Sequence, residues 1–132
     1  MIIGIGIDLL EVPRMEKALD RSGPRLLDKL FTPEEQQVCR EAGGGAQRWA
    51  VRFAAKEAVF KALGTGWSQG VGWHHVEILR SGAGVPQVRL SGGARQVADR
   101  LGAGRCHVSL THQRSSAAAV AILESHQEAS ST

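Results

Sequence analysis

Three residues have the chemical type and spacing to act together: Asp8, Glu57 and Lys61. Glu57 and Lys61 stand four apart in Lys56-Glu57-Ala58-Val59-Phe60-Lys61, so on a helix they share a face. Trp49 and Phe53 fall on the same line, and a carboxylate on an apolar stripe is costly unless something pairs with it. Two readings are open. Glu57 and Lys61 form an ordinary ion pair along the helix, or Glu57 holds a cation while Lys61 meets a phosphate. Asp8 is equally ambiguous, because an aspartate after a strand often caps the next helix or turns the chain. If the fold brings Asp8 to Glu57, the pair gains a different meaning. Two carboxylates without any Cys/His metal spacing suit a hard cation. Mg²⁺ held by one or two carboxylates, with substrate phosphate and water completing the shell, fits best.

Other signals are weaker. Gly4 and Gly6 begin a GxG, but Leu9 stands where a dinucleotide fingerprint needs its third glycine, and Gly64-Thr65-Gly66 lacks the Lys-Ser/Thr of a phosphate loop. His74 and His75 are expected on opposite faces of one strand, which excludes a zinc shared between them there. His107 reads as an exposed strand residue, and His112 ends its strand where it could face a cleft. Ser109 with His112 would suggest a hydrolase, but no nucleophile elbow surrounds the serine. Arg14, Lys17 and Arg21 lie on one helix face, either simply solvated or a docking surface for an acidic protein.

These residues need elements to carry them. The alternation in Met1-Ile2-Ile3-Gly4-Ile5-Gly6-Ile7-Asp8 predicts a strand from Ile2 to Ile7 ending at Asp8, with two glycines that let a neighbour approach. A helix follows, with Pro13 in its first turn, a break at Ser22-Gly23-Pro24, and a shorter helical piece from Arg25 to Leu30. Thr32-Pro33-Glu34-Glu35 is a capping box opening a second helix that stops at Gly43-Gly44-Gly45. The clearest element runs from Ala46 to Leu63, closes at Gly64, and is apolar around most of its circumference, so it is expected to be central and buried. Two strands around Ser81-Gly82-Ala83-Gly84, a helix from Ser91 to Leu101, and a final hairpin around Gln113-Arg114-Ser115-Ser116 complete a mixed α+β domain. Its expected span is residues 1–123, with 124–132 a polar tail.

Bulk properties agree. With 132 residues and 42% hydrophobic content, the chain suits one domain with a real core. No run of eighteen apolar residues exists, and the N-terminus lacks a basic leader, so a cytoplasmic protein without a membrane span is expected. Cys39 and Cys106 are far apart and read as buried thiols in a reducing compartment. The net charge of +3 and pI near 9.3 favour an anionic partner without naming it.

Taken in order, "GIGIDLLEVPRM" (Gly4 to Met15), "RFAAKEAVFKALGTG" (Arg52 to Gly66) and "HVSLTH" (His107 to His112) give the chain a family likeness. It resembles the holo-acyl-carrier-protein synthases, the small bacterial type of 4′-phosphopantetheinyl transferase, from Ile2 to about Leu123. "LFTPEE" and "GVPQVRLSGGA" fit the same pattern. The resemblance implies a long buried helix packed on an antiparallel sheet. It also implies Mg²⁺-dependent transfer of phosphopantetheine from coenzyme A to a serine of an acidic apo carrier protein, for fatty acid biosynthesis. Asp8 and Glu57 would hold the metal, and Lys61 would offset phosphate charge. Arg52, Lys61, Gly64 and His112 would surround coenzyme A, with Arg14 and Arg21 docking the carrier on a homotrimer with shared sites. Thr111 and Gln113 depart from the serine and aspartate usual beside that histidine. The competing readings are a metal-dependent phosphohydrolase and a non-catalytic basic nucleic-acid-binding module; modest charge, few aromatics and no tyrosine weigh against the latter.

Overall fold

The opening alternation of isoleucine and glycine forms strand β1 (Ile2–Glu11). It continues past Ile7, so Asp8 sits inside the strand, opposite Ala119, rather than at its end. The architecture is that of a computed structural model, which describes residues 1–65 and 70–126. Part of the glycine-rich loop (66–69) and most of the polar tail (127–132) lie outside the described residues.

Helix α1 (Val12–Leu30) follows with Pro13 in its first turn. The break expected at Ser22-Gly23-Pro24 is a kink: Gly23 takes φ 39°, ψ −121°, and helix resumes beyond it. Thr32 then opens α2 (Pro33–Glu41) with a complete capping box. Its Oγ1 accepts from Glu35 N at 3.3 Å, and Glu35 Oε1 accepts from Thr32 N at 3.0 Å. Helix α3 (Ala46–Leu63) has the predicted bounds and ends on Gly64 at φ 79°.

Beyond the loop, Trp73–His75 form a single 3-10 turn before strand β2 (Val76–Arg80), so the two histidines do not lie on the strand expected for them. His75 Nδ1 accepts from Gly72 N at 3.0 Å and curls the chain there. Strand β3 (Pro86–Leu90) pairs with β2 as a separate hairpin. Helix α4 (Gly92–Leu101), strand β4 (Ala103–His112) and strand β5 (Ser116–Ser125) complete the order. β5 carries Glu124 and Ser125, which were expected in the tail.

The main sheet is antiparallel in the order β1-β5-β4, with the β2-β3 hairpin beside it, giving one α+β domain. Helix α3 crosses the main sheet, with Ala50, Ala54, Ala58, Val59 and Phe60 buried at its centre. The glycine–aspartate side of β1, not its isoleucine side, meets this helix. A Cβ at Gly6 would strike the carbonyl of Ala58, and one at Gly4 would strike that of Ala62. Ile5, Ile7 and Leu9 consequently point outwards, 61%, 66% and 70% exposed.

On its other flank α3 is fastened by charge. Lys56 and Glu35, both fully enclosed, pair at 2.7 Å, and Lys56 Nζ also donates to Val76 O. Burial pulls the Lys56 ammonium below its usual pKa against the opposing pull of Glu35. The two cysteines are free thiols, Cys39 buried and Cys106 half-buried. Burial raises each pKa to about 11, for Cys39 against neighbouring arginines.

Candidate active site

The seat of α3 on Gly4 and Gly6 brings Asp8 to the C-terminal half of the helix. Asp8 follows Gly6 by two residues on the same face of β1, and Glu57 immediately precedes Ala58, which touches Gly6. Lys61, one turn beyond Glu57, closes the group. Its Nζ donates to Asp8 Oδ1 at 3.1 Å and to Ile7 O at 2.9 Å. Among the described residues Lys61 thus pairs with Asp8 rather than with Glu57, so the simple ion pair along the helix is not what forms.

The electrostatics follow from this crowding. Glu57 is half-buried, and its pKa is raised first by burial, then by the negative charge of Asp8, against the pull of Lys61. A carboxylate so placed gains when a cation arrives. No set of three or more His, Cys, Asp or Glu side chains able to hold a metal occurs among the described residues. The two carboxylates, all oxygen donors, would suit a hard cation such as Mg²⁺ that takes its remaining ligands from phosphate and water. They do not fit a closed zinc site. Lys61 remains half-exposed, so its ammonium can exchange Asp8 for an incoming anion.

The other expected ligand residues are dispersed within one chain. Gly64 is close by, capping α3 with its N–H on the carbonyls of Phe60 and Lys61. Arg52 lies on the opposite flank of the helix, largely buried, its Nη1 donating to Ile78 O at 2.9 Å. His112 is exposed at the end of β4, level with Ala117 and Leu10. Two strand spacings and two residues separate it from Asp8, about 12 Å between backbones. Arg14, Lys17 and Arg21 are all exposed on α1.

Two features escaped the sequence reading. An apolar cavity of about 280 Å³ lies between α1 and α3, lined by Leu10, Met15, Leu26, Phe53 and Trp73, with Arg14 and Lys29 at its edge. Its walls come from four separate segments, so no local pattern reveals it. The second is the Lys56–Glu35 pair. Its only trace is a lysine on a helix otherwise apolar enough to be buried, which demands a carboxylate somewhere.

The comparisons with known proteins concern nearly the whole chain. Residues 4–122 match the family model described as the 4′-phosphopantetheinyl transferase superfamily. A holo-[acyl-carrier-protein] synthase of Desulforudis audaxviator is 51% identical over 122 residues, covering 92% of each chain. Among solved structures, the holo-[acyl-carrier-protein] synthase of Neisseria meningitidis superposes with a TM-score of 0.85 at 29% identity, over 94% of this chain and 99% of the other. That of Helicobacter pylori, in complex with coenzyme A, gives 0.80 at 28% identity over 91% and 99%.

Proposed function

Because the chain belongs to the 4′-phosphopantetheinyl transferase superfamily, we propose that it moves the phosphopantetheine group of coenzyme A onto a serine of an apo acyl carrier protein, with Mg²⁺ bound by Asp8 and Glu57. It is an enzyme of the holo-[acyl-carrier-protein] synthase type, and in this reading it serves fatty acid biosynthesis in the cytoplasm. No helix among the described residues is long and apolar enough to cross a membrane. The observation that carries the reading is the convergence of Asp8, Glu57 and Lys61 where β1 is seated on α3.

The chemistry asks for alignment and charge neutralisation more than for a covalent enzyme intermediate. The carrier serine hydroxyl attacks the β-phosphorus of the pyrophosphate; one P–O bond forms, the bond to the bridging oxygen breaks, and the hydroxyl proton passes to solvent. Adenosine 3′,5′-bisphosphate leaves. A bound Mg²⁺ would draw charge from the pyrophosphate and fix its orientation. Asp8 and Glu57 would hold the cation from two rigid elements, and Lys61 would contact phosphate oxygens from the same helix as Glu57. Gly64 leaves room for the ligand beside Lys61. The test is direct. Protein, Mg²⁺, coenzyme A and an apo carrier are expected to give a carrier heavier by one phosphopantetheine by mass spectrometry, with an equal amount of nucleotide. EDTA stops the reaction and excess Mg²⁺ restores it. A carrier with its serine changed to alanine yields neither product. Continued nucleotide release from that carrier would mean hydrolysis, and no mass shift across several bacterial carriers would reject the function.

Carrier docking belongs to α1. Arg14, Lys17 and Arg21 offer positive charge along the helix, and the apolar cavity beside Arg14 can take a side chain from an acidic partner. Such steering weakens with salt. Arg14→Glu is therefore expected to raise KM for the carrier by about tenfold or more and KM for coenzyme A by far less. Initial-rate kinetics decide it, and equal effects on both would reject docking there.

The active form is a homotrimer with shared sites. Two observations support this. Ile5, Ile7 and Leu9 form an exposed apolar row beside the half-buried Val120 and Ile122, the kind of patch that soluble chains cover. His112 stands exposed and away from Asp8 within one chain, which suits delivery by a neighbour. Ile7→Lys is expected to give monomers in sedimentation equilibrium and to lose activity. Mixing inactive Asp8→Ala with inactive His112→Ala subunits is expected to restore some turnover. A fully active wild-type monomer would refute the assembly.

A further inference from the structure

The ion pair of Lys56 and Glu35 adjoins Glu57 in sequence, yet it has no place in the chemistry above. Glu35 accepts from Thr32 N at 3.0 Å, Ile78 N at 3.0 Å and Lys56 Nζ at 2.7 Å. Lys56 adds a bond to Val76 O at 2.6 Å and lies 5.4 Å from the centre of the Phe31 ring. A single ammonium thus ties α3 to both α2 and β2. Arg52 touches the same flank one turn earlier through Ile78 O, which leaves Lys56 the last fastener before Glu57.

Helix geometry gives this position its significance. At about 100° per residue, Lys56 points roughly 160° away from Ala58, the residue seated on Gly6, and Glu57 lies about 100° from Lys56. The helix is therefore gripped from nearly opposite sides. The glycine seat limits its distance from β1, and Lys56, with Arg52 one turn earlier on the same flank, is placed to resist its rotation. Turning the helix by about 20° would carry a side-chain tip, some 5–6 Å from the axis, through about 2 Å. Functional geometry tolerates about 0.5 Å. A buried ion pair is a poor source of stability, since well-packed apolar side chains often do as well. It does supply short contacts of fixed direction, which apolar packing does not.

We propose that Lys56 and Glu35 are positioning residues for the transfer: their pair fixes the rotation of α3 that turns Glu57 towards Asp8. The inference rests on Asp8 and Glu57 being the metal carboxylates, so the experiment separates the two. Wild-type protein is first titrated with Mn²⁺ alone, and free ion is read by electron paramagnetic resonance. A wild-type chain that binds no Mn²⁺ and turns over without divalent cation sinks the carboxylate reading itself.

Given binding, the double substitution Glu35→Gln with Lys56→Met is compared. Its single amide oxygen can accept from Thr32 N or from Ile78 N but not from both, since these donors bond different oxygens of Glu35, so circular dichroism and Tm check the fold first. Mn²⁺ affinity is expected to fall by about 10- to 100-fold. The turnover number kcat is expected to fall by about 100-fold, while KM for coenzyme A changes by less than about threefold. A folded double variant with wild-type Mn²⁺ affinity and kcat would show the pair to be scaffold alone and overturn the inference. Where that variant does not fold, Lys56→Arg, which keeps the charge but lengthens the arm, is judged by the same Mn²⁺ and kcat criteria.

Discussion

Replacing Asp8 by Asn, or Glu57 by Gln, is expected to lower turnover by roughly 10³-fold, the several kcal/mol that charge stabilisation of a phosphoryl group supplies. Both substitutions keep side-chain volume, so neither opens a cavity. The Glu57→Gln chain should even be slightly favoured when metal is absent, because the folded protein already holds the Glu57 carboxyl above its ordinary pKa through burial and the charge of Asp8. Stability linked to that group is present at low pH and is lost as pH rises past the ordinary glutamate range. Circular dichroism and Tm establish that the variants are folded, and turnover across a Mg²⁺ titration establishes the defect. Wild-type rates in either variant would remove these carboxylates from the site.

Gly6→Ala is expected to disturb both the fold and the chemistry. The added Cβ falls on the carbonyl of Ala58, which belongs to a helix backbone and cannot swing aside as a side chain would. Either β1 lifts from α3 or the substitution is not tolerated. Overpacking in a core costs about 1–3 kcal/mol when side chains can adjust; against backbone about 3 kcal/mol or more is expected, a Tm loss of roughly 10 °C in a domain this size. Lifting β1 also carries Asp8 away from Glu57. Turnover measured well below Tm should therefore fall even where the variant is folded. Unchanged Tm and turnover would contradict the close seat. Gly82, with open space around its missing Cβ, is the control: Gly82→Ala should leave both quantities nearly unchanged.

How legible all this was depended on range. Helix α3 and its stop at Gly64 were readable because apolar content, helix formers and a terminating glycine agree within one segment. The capping box of α2 was readable for the same reason. The extent of β1 was not, because Asp8 to Glu11 are held in the strand by β5, more than a hundred residues later, and that pairing leaves no local mark. The histidines at 74 and 75 were misplaced because β-like composition extends over a turn that Gly72 and His75 close by hydrogen bonding. Asp8 and Glu57 could be suspected separately from residue type. Their meeting was readable only through the combined motifs, and the structure then supplied the reason, a helix resting on two glycines. The partner of Lys61 was misread in one of the two alternatives, because spacing along a helix says nothing of a strand that passes closer. Glu35 was assigned a cap and nothing more, and half of its work, holding Lys56 and Ile78 N, lies in tertiary contacts.

The two hindered thiols bear on how the product can be watched. Burial pushes each cysteine up to about 11, so little thiolate forms at neutral pH in the folded chain, and the thiolate is the form that alkylating dyes attack. The group transferred ends in an unhindered thiol carried on a long flexible arm. A maleimide dye added briefly to the still folded mixture, stopped with EDTA and freed of leftover coenzyme A, should therefore stain the carrier well ahead of the enzyme, so that one gel lane reports conversion without antibody, isotope or tag.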